Sequence, residues 1–113
     1  MIYKICDKDE WEAAAMTGIY PGSANDAKDG FIHFSNAAQV PGTLARFYAD
    51  ADNLVLAAVD DSKLGAALIW ERSGDHGLFP HLYGPLPMAN VVWVKPLIRG
   101  ADGVFVLPPE MGK

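Results

Sequence analysis

The residues of this chain best suited to chemistry are two histidines set among bulky apolar neighbours. His33 lies in Asp29-Gly30-Phe31-Ile32-His33-Phe34-Ser35, and His81 lies in Phe79-Pro80-His81-Leu82-Tyr83-Gly84-Pro85. An imidazole exchanges its proton near neutral pH and offers one donor and one acceptor. On a strand, Phe31, His33 and Ser35 share one face, and Ile32 and Phe34 share the other. His33 and Ser35 then present a ring and a hydroxyl together, which suits hydrogen bonding to a sugar or a phosphate. They do not make a serine–histidine nucleophile pair, because the sequence identifies no third, orienting group. The other reading of His33 is a core histidine held by one hydrogen bond. Around His81, Pro80 and Pro85 stiffen the segment and Gly84 permits close approach. A stiff segment displaying His81 and Tyr83 is pre-organised for a ligand. Its alternative is a proline-rich edge loop that lids the core. The two segments are expected to meet at one pocket.

Other candidates surround them. Glu71, in Trp70-Glu71-Arg72 at a strand end, is a carboxylate placed to act as a general base or to accept a ribose hydroxyl; the duller option is a surface ion pair with Arg72. Arg46 and Arg72 have the planar fork that meets a phosphate bidentately, unless they are simply solvated. Tyr20 and Ser23 fall in a turn-rich stretch and are expected near the rim of the pocket. His33, His76 and His81 with an aspartate are the only metal-ligand set, and His76 and His81 stand five apart, which matches no familiar spacing. No metal site is expected. Cys6 is read as a buried thiol. No phosphate-cradling glycine motif is present.

These side chains must be positioned by short elements. Ile2 to Cys6 reads as a strand. Asp7 then caps a helix over Asp9 to Thr17, with Glu10 at the capping-box spacing and Gly18 as the stop. Ile19 to Lys28 crowds Pro, Gly, Ser, Asn and Asp and reads as a loop. Phe31 to Ser35 is the organising strand, and Ser35 or Asn36 can cap the turn after it. A second helix is expected over Pro41 to Ala49, with Leu44, Phe47 and Tyr48 on its inner face. Leu54 to Val59 reads as a central strand buried on both faces. Strands are expected at Ala67 to Glu71, Val91 to Val94 and Val104 to Leu107, and the prolines of Leu78 to Pro87 exclude a regular helix. The sum is two helices in the N-terminal half and about six strands. Helical crossovers are missing from the second half, so the fold class is α+β with a curved, mainly antiparallel sheet.

The 113 residues suit a single domain spanning the whole chain. Nine basic residues against fourteen acidic give a net charge of −5, which disfavours generic binding to nucleic acid or to an anionic membrane. A small-molecule ligand, even an anionic one, is compatible with that balance, because one local arginine serves it. A single cysteine permits no internal disulfide. With no signal-peptide pattern at the start and no apolar run approaching about 20 residues, the expected location is the cytoplasm.

The motifs also carry a resemblance. Tyr3-Lys4-Ile5-Cys6, Glu10-Trp11, Gly18, Tyr20-Pro21-Gly22-Ser23, Asp29 to Ser35, Gln39-Val40, Arg46-Phe47, Leu54-Val55-Leu56, Trp70-Glu71 and Phe79 to Gly84 resemble the small bacterial domain-of-unknown-function family 952. That family resembles, more distantly, the ADP-ribosyltransferase superfamily with its RNA 2′-phosphotransferases. The resemblance implies an ADP-ribosyltransferase-like fold, with a split, curved sheet and a cleft for NAD, as substrate, or an ADP-ribosyl group. In those enzymes a first-strand histidine binds the nicotinamide-side ribose; the matching position here is Lys4. A serine or tyrosine on a second strand matches the His33-Phe34-Ser35 segment. A late Glu, Gln or His polarises the ribose, and Glu71 and His81 are the two residues for that role.

Two functions follow as expectations. One is an enzyme acting at a ribose or phosphate centre, with His33, Glu71 and His81 as catalytic residues and Lys4, Tyr20, Ser23, Ser35, Arg46 and Tyr83 binding the ligand. The other is a non-catalytic module that keeps the cleft for a metabolite or a protein partner.

Overall fold

A computed structural model describes residues 1–112. The first strand, β1 (Ile2–Asp7), pairs antiparallel with β4 (Leu54–Val59), which pairs with β8 (Val91–Arg99), which pairs with the short β9 (Phe105–Val106). A second sheet has β6 (Leu78–Leu82) between β3 (Ile32–His33) and β5 (Leu68–Arg72). The short strands β2 (Ile19–Tyr20) and β7 (Leu86–Pro87) pair with each other. Every strand pair is antiparallel. The two larger sheets meet at one bridge, where Tyr3 and Ser35 exchange backbone hydrogen bonds of 2.8 and 2.9 Å. The α+β class with antiparallel sheets stands, but with nine strands among the described residues rather than about six.

β4 is apolar at every position, and the structure shows why. Val55, Ala57 and Val59 face a core closed by Trp11, Ala14, Tyr20, Ile32, Phe34 and Leu82. Leu54, Leu56 and Ala58 face a second core with Tyr3, Ile5, Val40, Leu44 and Leu97. A strand buried on both faces cannot alternate.

Among the described residues there are three α-helices where the sequence predicts two. The first, α1 (Lys8–Ala15), is capped by Asp7, whose side chain accepts from Glu10 N. It stops two residues short of Thr17. The second, α2 (Ala24–Asp29), lies inside the stretch that reads as a loop. Its sequence ANDAKD has no apolar period, so it is invisible to a periodicity reading. Its ends hold it: Ser23 and Asp26 form a reciprocal capping box, and Gly30 closes it at φ +86°. Only a glycine takes that left-handed conformation without strain. No atom lies within 4 Å of a Cβ added there, so Gly30→Ala should lose only the backbone term, about 1–2 kcal/mol. A thermal melt should show a drop of several degrees, and an unchanged midpoint would mean the cap is dispensable.

The third helix, α3 (Val40–Phe47), ends before Ala49. Leu44 is buried as expected, but Phe47 is 72% exposed. The organising strand also differs: only Ile32–His33 form β3, and Phe34 and Ser35 continue as an irregular extension tied to Pro80 and Tyr3. The segment around His81, for which a proline-rich edge loop is the alternative reading, is β6, the middle strand of its sheet. No helix among the described residues is long and apolar enough to cross a membrane.

Candidate functional site

β3 and β6 pair so that His33 and His81 are direct cross-strand partners. Directly opposed residues share a face, and the two rings lie 5.5 Å apart, edge to face. The two histidine segments therefore meet, as their sequences suggest. Both rings line a cleft of about 560 Å³ at the junction of the two large sheets, together with Lys4, Ser23, Asp26, Asp29, Ser35 and α3. That volume is within the usual range for small-molecule sites, about 300–1,000 Å³.

The residue that holds the cleft together is Asp26, which composition alone assigns to a loop. It is 2% exposed. Its carboxylate accepts from Lys4 Nζ at 2.9 and 3.2 Å, from Ser23 N at 2.9 Å, from His33 N at 3.2 Å, and lies 2.6 Å from His33 Nδ1. Burial alone would raise its pKa. The His33 hydrogen bond, the Lys4 charge and the remaining donors outweigh burial and hold the carboxyl well below its ordinary range. The sequence does carry a signal: Ser23 and Asp26 stand at capping-box spacing.

Lys4, expected to bind the ligand, lines the cleft but is engaged by Asp26. It lies on β1, 3% exposed, with its ammonium on Asp26 and on the His33 carbonyl at 3.0 Å. Its charge is spent inside the protein on the carboxylate that orients His33. His33 is likewise held on both sides, because Nε2 lies 3.0 Å from Asp29 Oδ2. Carboxylates only accept, so the ring bonds to both aspartates only when both nitrogens carry protons. In that state it has no lone pair with which to act as a base.

His81 is the opposite case. Nδ1 lies 2.8 Å from Glu71 Oε1, and the same oxygen accepts from Tyr83 OH at 2.7 Å. The Tyr83 and His81 hydrogen bonds hold the Glu71 carboxyl below its ordinary value and, reciprocally, the Tyr83 phenol above its own. In the neutral ring that gives Nδ1–H to Glu71, Nε2 is an acceptor. Phe31 stacks on this imidazole, centroids 4.0 Å apart and planes 25° apart, and also contacts Tyr83. Glu71 and Tyr83 are thus brought to His81, but they are not among the residues lining the cleft.

Ser35 lines the cleft, and its Oγ lies 3.2 Å from Thr43 Oγ1. Thr43, absent from the sequence candidates, sits one turn before Arg46 and Phe47 on α3, and all three line the cleft. Ser23 also lines it, but its hydroxyl is occupied in capping α2. Tyr20 does not reach the cleft: it is 1% exposed and hydrogen-bonds Cys6 Sγ at 3.3 Å. Burial, then the Cys6 hydrogen bond, pushes the Tyr20 phenol far up, and burial raises the Cys6 thiol too. Tyr20 is a core residue. Arg72 is exposed and does not line the cleft. Among the described residues, no three His, Cys, Asp and Glu side chains gather as a metal-holding group.

Fold and cleft together define a small antiparallel α+β protein with a pocket of histidines and carboxylates between two sheets. The chain belongs to the family described as protein of unknown function (DUF952), whose model matches residues 5–94. It is similar to the crystal structure of protein CC0527 from Caulobacter crescentus, with 43% identity and a TM-score of 0.91 over 99% of this chain and 98% of that one. A solution NMR structure of CC0527 superposes with a TM-score of 0.81 at 46% identity, covering 91% and 89% of the two chains. No curated protein matches the chain.

Proposed function

We propose that the cleft takes a nucleotide-sized ligand of the ADP-ribosyl or NAD type, or another phosphorylated ligand, and that His81 accepts a proton there during transfer or hydrolysis at a ribose or phosphate centre. The observation carrying this reading is the unequal treatment of the paired histidines. His33 is fixed by Asp26 and Asp29, while His81 is fixed by Glu71 at one nitrogen only. A histidine oriented by a carboxylate at one nitrogen, on a ring that lines a cleft, is the arrangement of a general base. His33 then positions the ligand rather than taking its proton, and the Ser35 and Thr43 hydroxyls supply hydrogen bonds. The choice of ligand class draws on the ADP-ribosyltransferase resemblance, with Lys4 assigned to Asp26 instead of to the ligand.

The test is ligand-induced thermal stabilisation with NAD, ADP-ribose and nicotinamide, followed by product analysis. A ligand at about 100 times its Kd adds roughly 2.7 kcal/mol, a shift of several degrees at this size. Wild type and His81→Ala should both be stabilised, because the base contributes little to ground-state binding, and only wild type should turn the ligand over. No shift with any of the three ligands would rule out the ADP-ribosyl and NAD reading.

A non-catalytic binding module is the second reading. It is favoured by His33, which has both nitrogens tied to carboxylates. It requires binding without turnover, and an affinity that Glu71→Gln leaves unchanged.

A further inference from the structure

Helix α3 presents Thr43, Arg46 and Phe47 to the cleft, at i, i+3 and i+4. Two side chains lining the cleft are permanent cations, Lys4 and Arg46. Lys4 is neutralised by Asp26. Among the described residues, no carboxylate pairs with Arg46. Its guanidinium instead lies 5.7 Å from the centre of the Phe47 ring. It also lies against the bare backbone of Gly42, so closely that a Cβ there would come within 3.0 Å of Arg46 Nη1.

Gly42 has no conformational reason to be glycine, because it sits within a helix and is not among the residues of positive φ. Glycine in that setting weakens a helix relative to alanine. The missing methyl leaves room for the guanidinium to fold back along the helix. Phe47, largely exposed at the same cleft, is an aromatic face with little protein packed on it. An unpaired arginine fork matches a phosphate, and an exposed ring matches a nucleobase.

We infer that Gly42, Arg46 and Phe47 form a subsite for the phosphate-bearing end of a nucleotide. Arg46 takes the phosphate or pyrophosphate, Phe47 stacks on the base, and Gly42 sets the guanidinium in place. This rests on the reading that the cleft binds a nucleotide-sized ligand, and it adds which end of the ligand lies on α3.

Calorimetric titration of wild type, Arg46→Ala and Gly42→Ala with ADP-ribose and with adenosine tests it. Arg46→Ala should bind ADP-ribose about 10- to 100-fold more weakly, the factor expected for losing charge-assisted hydrogen bonds. Its adenosine binding should stay within about twofold. Gly42→Ala should melt at a higher temperature than wild type, because alanine is the better helix former, yet bind ADP-ribose several-fold more weakly. A Gly42→Ala protein with undiminished ADP-ribose affinity would overturn the positioning role. Unchanged ADP-ribose affinity in Arg46→Ala, or an equal loss for adenosine, would overturn the phosphate role while leaving the cleft as a nucleotide site. Failure of wild type to bind ADP-ribose would overturn both readings.

Discussion

Asp26→Asn is expected to destabilise the protein by about 3–5 kcal/mol, the usual cost of removing one partner from a buried ion pair. The substitution keeps the shape and an acceptor oxygen, but it strands the Lys4 ammonium in a place 4% exposed. It also removes the charge that His33 faces at 2.6 Å. Urea unfolding followed through the three tryptophans measures the loss. Adding Lys4→Met should recover part of it, because the uncompensated charge is then gone as well. The pH dependence has a defined sign. Asp26 is held below its unfolded value of 3.8, so its contribution is fully present above that value. It is lost as the pH falls from about 3.8 toward the lower folded value. Wild type should therefore weaken more steeply than Asp26→Asn on acidification below about pH 4. Parallel acid profiles, or a loss under 1 kcal/mol at neutral pH, would mean that the buried Asp26 charge does not hold the cleft together.

The second large effect is expected at Arg99, just past the C-terminal end of α3. Its guanidinium donates to the carbonyls of Tyr48, Ala49 and Ala51, just past the helix, and to Gly103 O at 2.8 Å. Its Nε reaches Asp52 at 3.2 Å, and the plane lies 4.0 Å from the Phe105 ring centre. A cation at a helix C-terminus also meets the negative end of the helix dipole. Arg99→Ala leaves those carbonyls without their donor and should cost about 2–3 kcal/mol, as for hydrogen bonds involving a charged group. Arg99→Lys should recover only a minority of this, because an ammonium cannot reproduce the planar fork. If lysine restores full stability, charge alone suffices and the fork is irrelevant. Because Arg99 fixes the end of the helix that carries Arg46 and Phe47, Arg99→Ala should also loosen one wall of the cleft.

Parts of this protein are legible in the amino-acid sequence alone. The uniform apolar run of β4, the burial of Ile32 and Phe34, the cap at Asp7 and the absence of helical crossovers are local or periodic signals, and the fold class follows from them. The two histidine segments stand out because a titratable ring among bulky apolar residues is unusual wherever it lies. The motifs also carry the family.

Other features depend on long-range placement. Helix α2 has no period to detect; it exists because Ser23, Asp26 and Gly30 close its ends and because Asp26 is tied to Lys4 and His33. No spacing pairs Lys4 with Asp26, or His81 with Glu71, since sheet register and the β1–Ser35 bridge bring them together. Loop composition suggests Tyr20 and Ser23 at the rim; the structure puts Tyr20 in the core, whereas Ser23 does line the cleft, with its hydroxyl engaged in capping α2. Phe47 shares a helical face with Leu44 by counting, yet α3 lies across its core so that Leu44 is buried and Phe47 is left at the cleft. Which residues are apolar, where helices can be capped and which rings can titrate are readable from the chain alone, because those are properties of single residues and their neighbours. Which charges meet, and so which histidine is held by two carboxylates and which by one, depends on distances that exist only in the folded chain.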